Sequence, residues 1–270
     1  MKFISADGIL YMTFDCYQGQ RVVAAVSCRT GGVSEPPFSS LNMGFHTGDD
    51  VDAVRENRRR YFEALGLSAS CLVSGNQVHG TYIYKVTEKD AGRGALTMET
   101  AIPACDGFMT DEKDIPITMN YADCTPLFFY DPVKQAIALS HGGWRGTAGN
   151  IAALTVAKME KNYGSKREDI LCAIGPAIGL ECFEVGEEVV EEFYKLFNEK
   201  EISRLSVKKA NGKYLFDLHN ANRRLLEKAG IPADHIEDCG LCTYCHDDLF
   251  YSYRKSGGKT GRHMAVMALV

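Results

Sequence analysis

The alternation of apolar and polar positions is clearest between residues 115 and 159. Two apolar runs, Ile117–Tyr121 and Pro126–Tyr130, flank the short polar break Ala122-Asp123-Cys124-Thr125. A third run, Gln135–His141, follows Asp131-Pro132-Val133-Lys134, whose proline presets φ for a turn. The second and third runs therefore read as a hairpin. Within the third, Ala136, Ala138 and Ser140 alternate with Ile137, Leu139 and His141. A strand with this period puts His141 on the face of Ile137 and Leu139, at its last position. After the corner Gly142-Gly143-Trp144-Arg145-Gly146, the residues Ile151, Leu154, Thr155, Lys158 and Met159 recur at helical spacing, with Thr147 or Asn150 as N-cap.

The same reading extends along the chain. Val22–Ser27 is a buried-type strand, followed by a turn over Cys28–Ser34 and a loop over Pro36–Gly44. Asp49–Ala64 is a helix opened by acidic residues, and Arg58-Arg59-Arg60 reads as its solvated face. Short strands are predicted at Cys71–Ser74, Thr81–Val86 and from Gly107 to Thr110, with a connector over Lys89–Ala101. Further on, Ile170–Ile174 is a strand, Gly175–Gly179 a rigid turn and Glu187–Phe197 a helix. A hairpin turns around Asn211-Gly212, a helix spans Asp217–Ala229 and stops at Gly230, and a core strand ends the sequence. A Gly-rich hairpin is expected between Phe250 and Arg262.

With 270 residues, 45% hydrophobic and 24% charged, the chain has ordinary globular proportions and is read as one domain. A net charge of −5 argues against a nucleic-acid binder. No apolar run reaches the roughly 18 residues of a membrane span. Asp7 and Gly8 interrupt the start before a signal-like core forms, so a cytoplasmic location is expected. The ten cysteines then read as thiols or ligands rather than disulfides.

Three features carry chemistry. Cys124 lies in one break between strands and His141 at another strand end, so pairing would bring a thiolate and an imidazole together. His79 is a second imidazole at an element end beside glycine, and Asp106 is a buried-type acid suited to orienting a ligand histidine. The strand end, glycine corner and helix start predict an anion site, with the planar fork of Arg145 beside it. Cys239, Cys242 and Cys245, at spacing three and followed by His246, resemble part of a metal knuckle without its second half.

Asn76-Gln-Val-His79-Gly, Thr118-Met-Asn-Tyr-Ala-Asp123-Cys124-Thr-Pro126, His141-Gly-Gly-Trp-Arg145-Gly-Thr and Ile174-Gly-Pro-Ala-Ile-Gly179 together resemble the signatures of the YfiH-type laccase-domain proteins. Those proteins are called polyphenol oxidases or purine nucleoside phosphorylases. The likeness extends to Arg29–Ser34, Ser40–Gly44, Gly48–Asp50, Ser252–Arg254 and Thr260–Arg262, nearly the whole chain in order. Gly142 stands where the family's HAGWRG motif has alanine, and Cys105 where alanine precedes the aspartate. The resemblance implies an α/β (α+β) fold of layered mixed sheets flanked by helices, similar to that of toxin deamidases. It implies a zinc site on His79, Cys124 and His141, with a fourth position for water or substrate. The implied activity is phosphorolysis of adenosine, inosine and methylthioadenosine, with adenosine deamination beside it, in a monomer or small homo-oligomer. Phosphate and substrate contacts fall to Arg29, Asn42, Arg145, Arg254 and Arg262, and proton transfer to Asp123 or Asp106.

Three rival readings follow from the same residues. Two histidines and one cysteine also match a copper site and hence a polyphenol oxidase, although seven histidines without a His-x-His pair do not make a trinuclear centre. Cys124 with His141 also matches a Cys–His hydrolase. The third is a zinc-stabilised binding protein without catalysis.

Overall fold

The computed structural model describes residues 1–270. In chain order the strands are β1 (Lys2–Ala6), β2 (Ile9–Thr13), β3 (Val22–Ser27), β4 (Val73–Ser74), β5 (Ile83–Lys85), β6 (Gly107–Thr110), β7 (Ile117–Tyr121), β8 (Thr125–Asp131), β9 (Ala136–Gly142), β10 (Leu171–Ile174), β11 (Glu184–Val185), β12 (Ser206–Lys208), β13 (Tyr214–Phe216), β14 (Ile236–Asp238) and β15 (His263–Leu269). The helices are α1 (Val51–Ala64), α2 (Trp144–Ala148), α3 (Ile151–Tyr163), α4 (Glu187–Phe193), α5 (Glu199–Leu205) and α6 (Leu218–Lys228). One sheet runs β1-β2-β3-β15-β7-β4 and a second β14-β10-β8-β9-β6-β5, each mostly antiparallel with parallel edge pairs, and β11-β13-β12 make a small third.

Alternation along β8 and β9 explains how these sheets stack. Phe128, Tyr130, Ile137 and Leu139 enter one apolar cluster with Val26, Met119 and Met267 of the first sheet. Their neighbours Leu127, Phe129, Ala136 and Ala138 face the other way, onto Ile151, Val156 and Met159 of α3 and Leu225 of α6. The small alanines on that face leave room for α3 to lie close. Behind the first sheet, Tyr61 and Phe62 of α1 pack on Ala25 and Val266. The result is four layers, helix on sheet on sheet on helices, with the central strands of both sheets buried on both faces and the edge strand β1 exposed. No helix is long and apolar enough to cross a membrane.

The predicted hairpin and the strands 22–27 and 117–121 are present, and the helix expected over Asp217–Ala229 is α6, with those two residues as its caps. Asp50 caps α1 through Ala53 N–H at 2.9 Å, and Asp217 caps α6 through Asn220 N–H at 2.9 Å. Four expectations are corrected. Helix α4 stops at Phe193 rather than Phe197, and a separate helix, α5, follows it, opened by an Asn198–Glu201 capping box. The helix after the glycine corner is two helices, because Asn150 takes a left-handed φ of 58° between α2 and α3 and caps neither with its side chain. Residues 251–262 are an irregular loop rather than a hairpin. Arg58 is not solvated: it is 1% exposed.

The Arg58 guanidinium donates to Met43 O from Nε and Nη2 (3.0 and 2.8 Å) and to Gly94 O and Ala95 O from Nη1 (2.6 and 3.0 Å). It also lies over the Phe45 ring at 4.2 Å. Burial lowers its pKa to about 9. One side chain thus satisfies three loop carbonyls that helix α1 covers. Arg58→Leu is expected to cost at least about 3 kcal/mol in urea unfolding, because those carbonyls lose their donor. Arg59→Leu, next to it but exposed and paired only with Glu56 and Glu63, should cost less than about 1 kcal/mol. Equal losses in the two variants would refute the assignment.

Candidate metal centre

Asp106, fully buried immediately before β6, organises the site. Its carboxylate accepts the backbone N–H of Val78 (3.1 Å), His79 (2.9 Å) and Gly80 (2.7 Å), which curls the loop after β4 around it. His79 takes φ 60° in that curl. Strand β6 pairs with β9 so that Gly107 faces Ser140, which sets Asp106 beside His141. Asp106 Oδ1 then lies 2.9 Å from His141 Nδ1, leaving Nε2 for another partner. Strand β8 pairs with β9 with Pro126 opposite His141, which brings Cys124, just before β8, to the end of the same hairpin.

The ligand atoms of His79, Cys124 and His141 lie within 4.8 Å of one another, with the two imidazole centroids 4.8 Å apart. Gly143 closes one side: a Cβ there would sit 3.0 Å from His79 Nδ1 and 3.1 Å from Cys124 Sγ. Glycine at this position lets the corner approach the donors. Burial pushes the Cys124 thiol up, but the imidazoles of His141 and His79 outweigh it and draw the thiol down to about 6. Burial likewise opposes protonation of His141, yet the Cys124 charge and the Asp106 hydrogen bond raise it to about 9. Cys124 and His141 therefore titrate as a thiolate–imidazolium pair. Burial disfavours the Asp106 carboxylate, but His141 and the three N–H donors hold its pKa below the ordinary value.

The three donors open into a cavity of about 470 Å³, within the range of small-molecule sites. Arg254 and Arg262 line it, and neither is paired with a carboxylate. Arg254 Nη1 donates to Glu184 O at 2.8 Å, and Arg262 Nη1 donates to Thr260 O and Gly261 O at 2.9 Å each. Phe183 and Tyr253 supply apolar wall, and Asn120 Oδ1 is buried without a partner. His46 stands at the exposed rim, where the cavity walls and Arg262 lower its pKa.

Arg29, Asn42, Asp106 and Arg145 lie outside the cavity lining. Arg145 is exposed and stacks on Trp144 at 4.2 Å, and helix α2 is only five residues long. Arg29 donates to Ser39 O and Asp247 O and braces loops. Asn42 is buried; its Oδ1 accepts Arg262 N–H at 2.8 Å and so positions that arginine. Asp123 lines the cavity, but both its oxygens are engaged, by Thr243 Oγ1 (2.6 Å) and Arg254 N–H (2.7 Å). It anchors two loops rather than standing free for proton transfer. Asp106 is likewise sealed behind His141. Asn120 and Tyr253 fall within the family-like motifs Thr118–Pro126 and Ser252–Arg254 without a role of their own there, whereas Phe183 and His46 lie in stretches that carry no spacing signal. The expected Cys239–Cys242–Cys245 group is also corrected: Cys239 packs in the core between the sheets, and Cys182 joins Cys242 and Cys245 instead.

The donor set fits the metal that the resemblance implies. One sulfur and two imidazoles, with a carboxylate on the far nitrogen of His141, is a pattern suited to zinc. A trinuclear copper cluster does not fit: His219 pairs with Asp238 (3.0 Å), His235 faces Ile170 O, and His263 is buried in β15 with neither ring nitrogen partnered.

Residues 23–270 match the family model described as multi-copper polyphenol oxidoreductase laccase. The chain is 42% identical over 244 residues to the purine nucleoside phosphorylase YlmD of Geobacillus stearothermophilus, covering 90% of this chain and 88% of that protein. It is 36% identical over 226 residues to the adenosine deaminase RL5 of an unknown prokaryotic organism, covering 83% and 85%. The crystal structure of the Bacillus licheniformis hypothetical protein YfiH superposes with a TM-score of 0.94 at 37% identity over 99% of both chains. With its match over nearly the full length and its four-layer fold shared with YfiH, the chain belongs to the laccase-domain family of YfiH- and YlmD-type proteins.

Proposed function

We propose that this chain is a zinc-dependent purine nucleoside phosphorylase acting on adenosine, inosine and methylthioadenosine, with adenosine deaminase activity at the same site. The observation that carries the reading is the opening of the His79–Cys124–His141 cluster into a cavity flanked by two arginines without carboxylate partners. The names of the relatives, phosphorylase and deaminase, support the same substrate class.

Bound by His79, Cys124 and His141, zinc would supply Lewis acidity and lower the pKa of a water toward ~7. The chain's own residues do the rest. Arg254 and Arg262 offer planar forks for phosphate. Phe183 and Tyr253 give apolar faces for the purine, and the unpartnered Asn120 Oδ1 accepts from a ribose hydroxyl or base amine. In phosphorolysis a phosphate oxygen bonds to C1′ as the C1′–N9 bond breaks, and that electron pair leaves with the base. Cations lining the cavity stabilise the negative charge. Asp106 keeps His141 oriented throughout.

A second reading also draws support from the geometry. Cys124, His141 and Asp106 have the order of a nucleophile, base and orienting acid. A Cys–His hydrolase would turn over in metal-free protein and be stopped by a thiol alkylator; the phosphorylase reading expects chelation alone to abolish turnover.

His79→Ala, Cys124→Ala and His141→Ala are each expected to cut ribose 1-phosphate formation from inosine and phosphate by about 10³-fold or more, with the fold retained by circular dichroism. Turnover retained in all three defeats the proposal. An unfolded Cys124→Ala chain would instead favour a zinc-stabilised binding protein. Arg254→Ala and Arg262→Ala should raise KM for phosphate by roughly 10-fold or more, since a hydrogen bond to a charged group is worth about 1.5–3 kcal/mol. Unchanged KM in both would place phosphate elsewhere.

Acid should weaken metal binding in two stages. Between about 6 and about 9 the Cys124–His141 pair holds one proton, and below about 6 it holds two. Zinc must displace them, so affinity falls as pH falls, more steeply below about 6. Calorimetric titration of metal-free protein in buffers of different ionisation enthalpy counts the protons released. A count that is constant from pH 5 to pH 8 would contradict the paired titration.

A further inference from the structure

The second thiol cluster lies outside the proposed active site and has no part in the chemistry above. Cys182 ends a short turn of helix at Leu180–Cys182, and Cys242 and Cys245 are spaced as C-x-x-C in the loop after β14. Their sulfurs all lie within 4.8 Å of one another, with Cys182 and Cys245 at 3.5 Å. Tetrahedral thiolate bonds of about 2.3 Å around one zinc ion put sulfurs roughly 3.8 Å apart, so small rotations bring these three to a common centre.

The surrounding backbone is arranged as in a metal knuckle. Gly179 N–H donates to Cys242 Sγ at 3.2 Å, and a Cβ on Gly179 would stand 3.3 Å from that sulfur. Ala177 bonds to both neighbours of Cys242: its N–H donates to Leu241 O (3.2 Å) and its carbonyl accepts Thr243 N–H (3.0 Å). His246 N–H closes the C-x-x-C turn on Cys242 O at 2.9 Å. A backbone N–H aimed at sulfur stabilises a thiolate, and three thiolates at this separation repel one another unless a cation sits between them. Cys245 is exposed and the other two are half-buried, so an ion can reach the site.

We infer that Cys182, Cys242 and Cys245 form a second metal site, which binds Zn²⁺ through three thiolates with solvent as the fourth ligand. Its place gives it a structural task. Loop 177–183 carries Ile178 and Phe183 into the cavity wall, and Thr243 holds Asp123 beside Cys124. The ion ties the two loops together behind that wall. Binding to the thiolates releases protons and involves no electron transfer.

The test reads metal content and does not depend on the proposed activity. Chain purified in reductant, loaded with ZnCl₂ and desalted is analysed by mass spectrometry for zinc per chain. Two zinc ions are expected for the unmodified chain, one for His79→Ala/Cys124→Ser, one for Cys182→Ser/Cys245→Ser, and none for the four combined. Cobalt loaded into His79→Ala/Cys124→Ser should give a thiolate charge-transfer band, lost on adding Cys182→Ser/Cys245→Ser. Where the double variant fails to fold, the exposed Cys245→Ser alone serves, with zinc retention through dialysis against a chelator as readout. No zinc in His79→Ala/Cys124→Ser, two in Cys182→Ser/Cys245→Ser, or a Cys182–Cys245 disulfide persisting in reductant would overturn the inference. Loss of phosphorolysis with both zinc ions retained would instead bear on the proposed function alone.

Discussion

The site depends on one buried carboxylate. Asp106 accepts three consecutive backbone N–H groups and His141 Nδ1, at 2.7 to 3.1 Å, and thereby fixes two elements that are distant in sequence. A carboxylate with no exposure is expensive unless every lone pair is used, and here the donors come from the loop that carries His79 and from the other imidazole. Its folded pKa is depressed. Its contribution to stability is therefore present above the ordinary carboxylate range and lost as pH falls through the lower folded value. The left-handed backbone at His79 (φ 60°) and Asp123 (φ 85°) costs on the order of 1 kcal/mol each. The hydrogen bonds of Asp106 and of the Asp123 side chain to Thr243 and Arg254 offset that strain. Strain, buried charge and metal donors thus fall within a few residues of each other.

Much of the central hairpin was legible in the sequence, because its signals are local. Alternation from Ala136 to His141 gave the face of the histidine, and Asp131-Pro132 gave the turn. The pairing of β8 with β9 then follows from loop length alone. What escaped has a common cause: it depends on partners far away in sequence. Arg58 lies in a run of three arginines on a helix, and only the closure of loops 43 and 94–95 over it makes it a buried donor. Cys239 shares the spacing of Cys242 and Cys245, yet its side chain turns into the core and Cys182, 60 residues before Cys242, takes its place. The hairpin β1–β2 has an Asp7-Gly8 turn, a strong local signal.

Among the candidate substrate residues, the structure separates reach from support. Arg254 and Arg262 face the cavity, whereas Arg29, Asn42 and Arg145 do not line it. Asn42 still matters through Arg262, whose N–H it accepts. A motif can therefore mark a residue that acts one contact away from the ligand. Sequence alone cannot distinguish the two roles, because both demand a fixed side chain at a fixed place.

The position of β15 has a consequence for how the chain is made. It is the last element in chain order, yet it lies in the middle of the first sheet between β3 and β7. Its partners are residues 22–27 and 117–121, so these pairings close loops of more than a hundred residues. During synthesis, β3 and β7 emerge from the ribosome long before the strand that joins them. Until it arrives, each exposes an unpaired edge and an apolar face. The second sheet can start from its local hairpin β8–β9, while the first must wait for β15 before its two halves join.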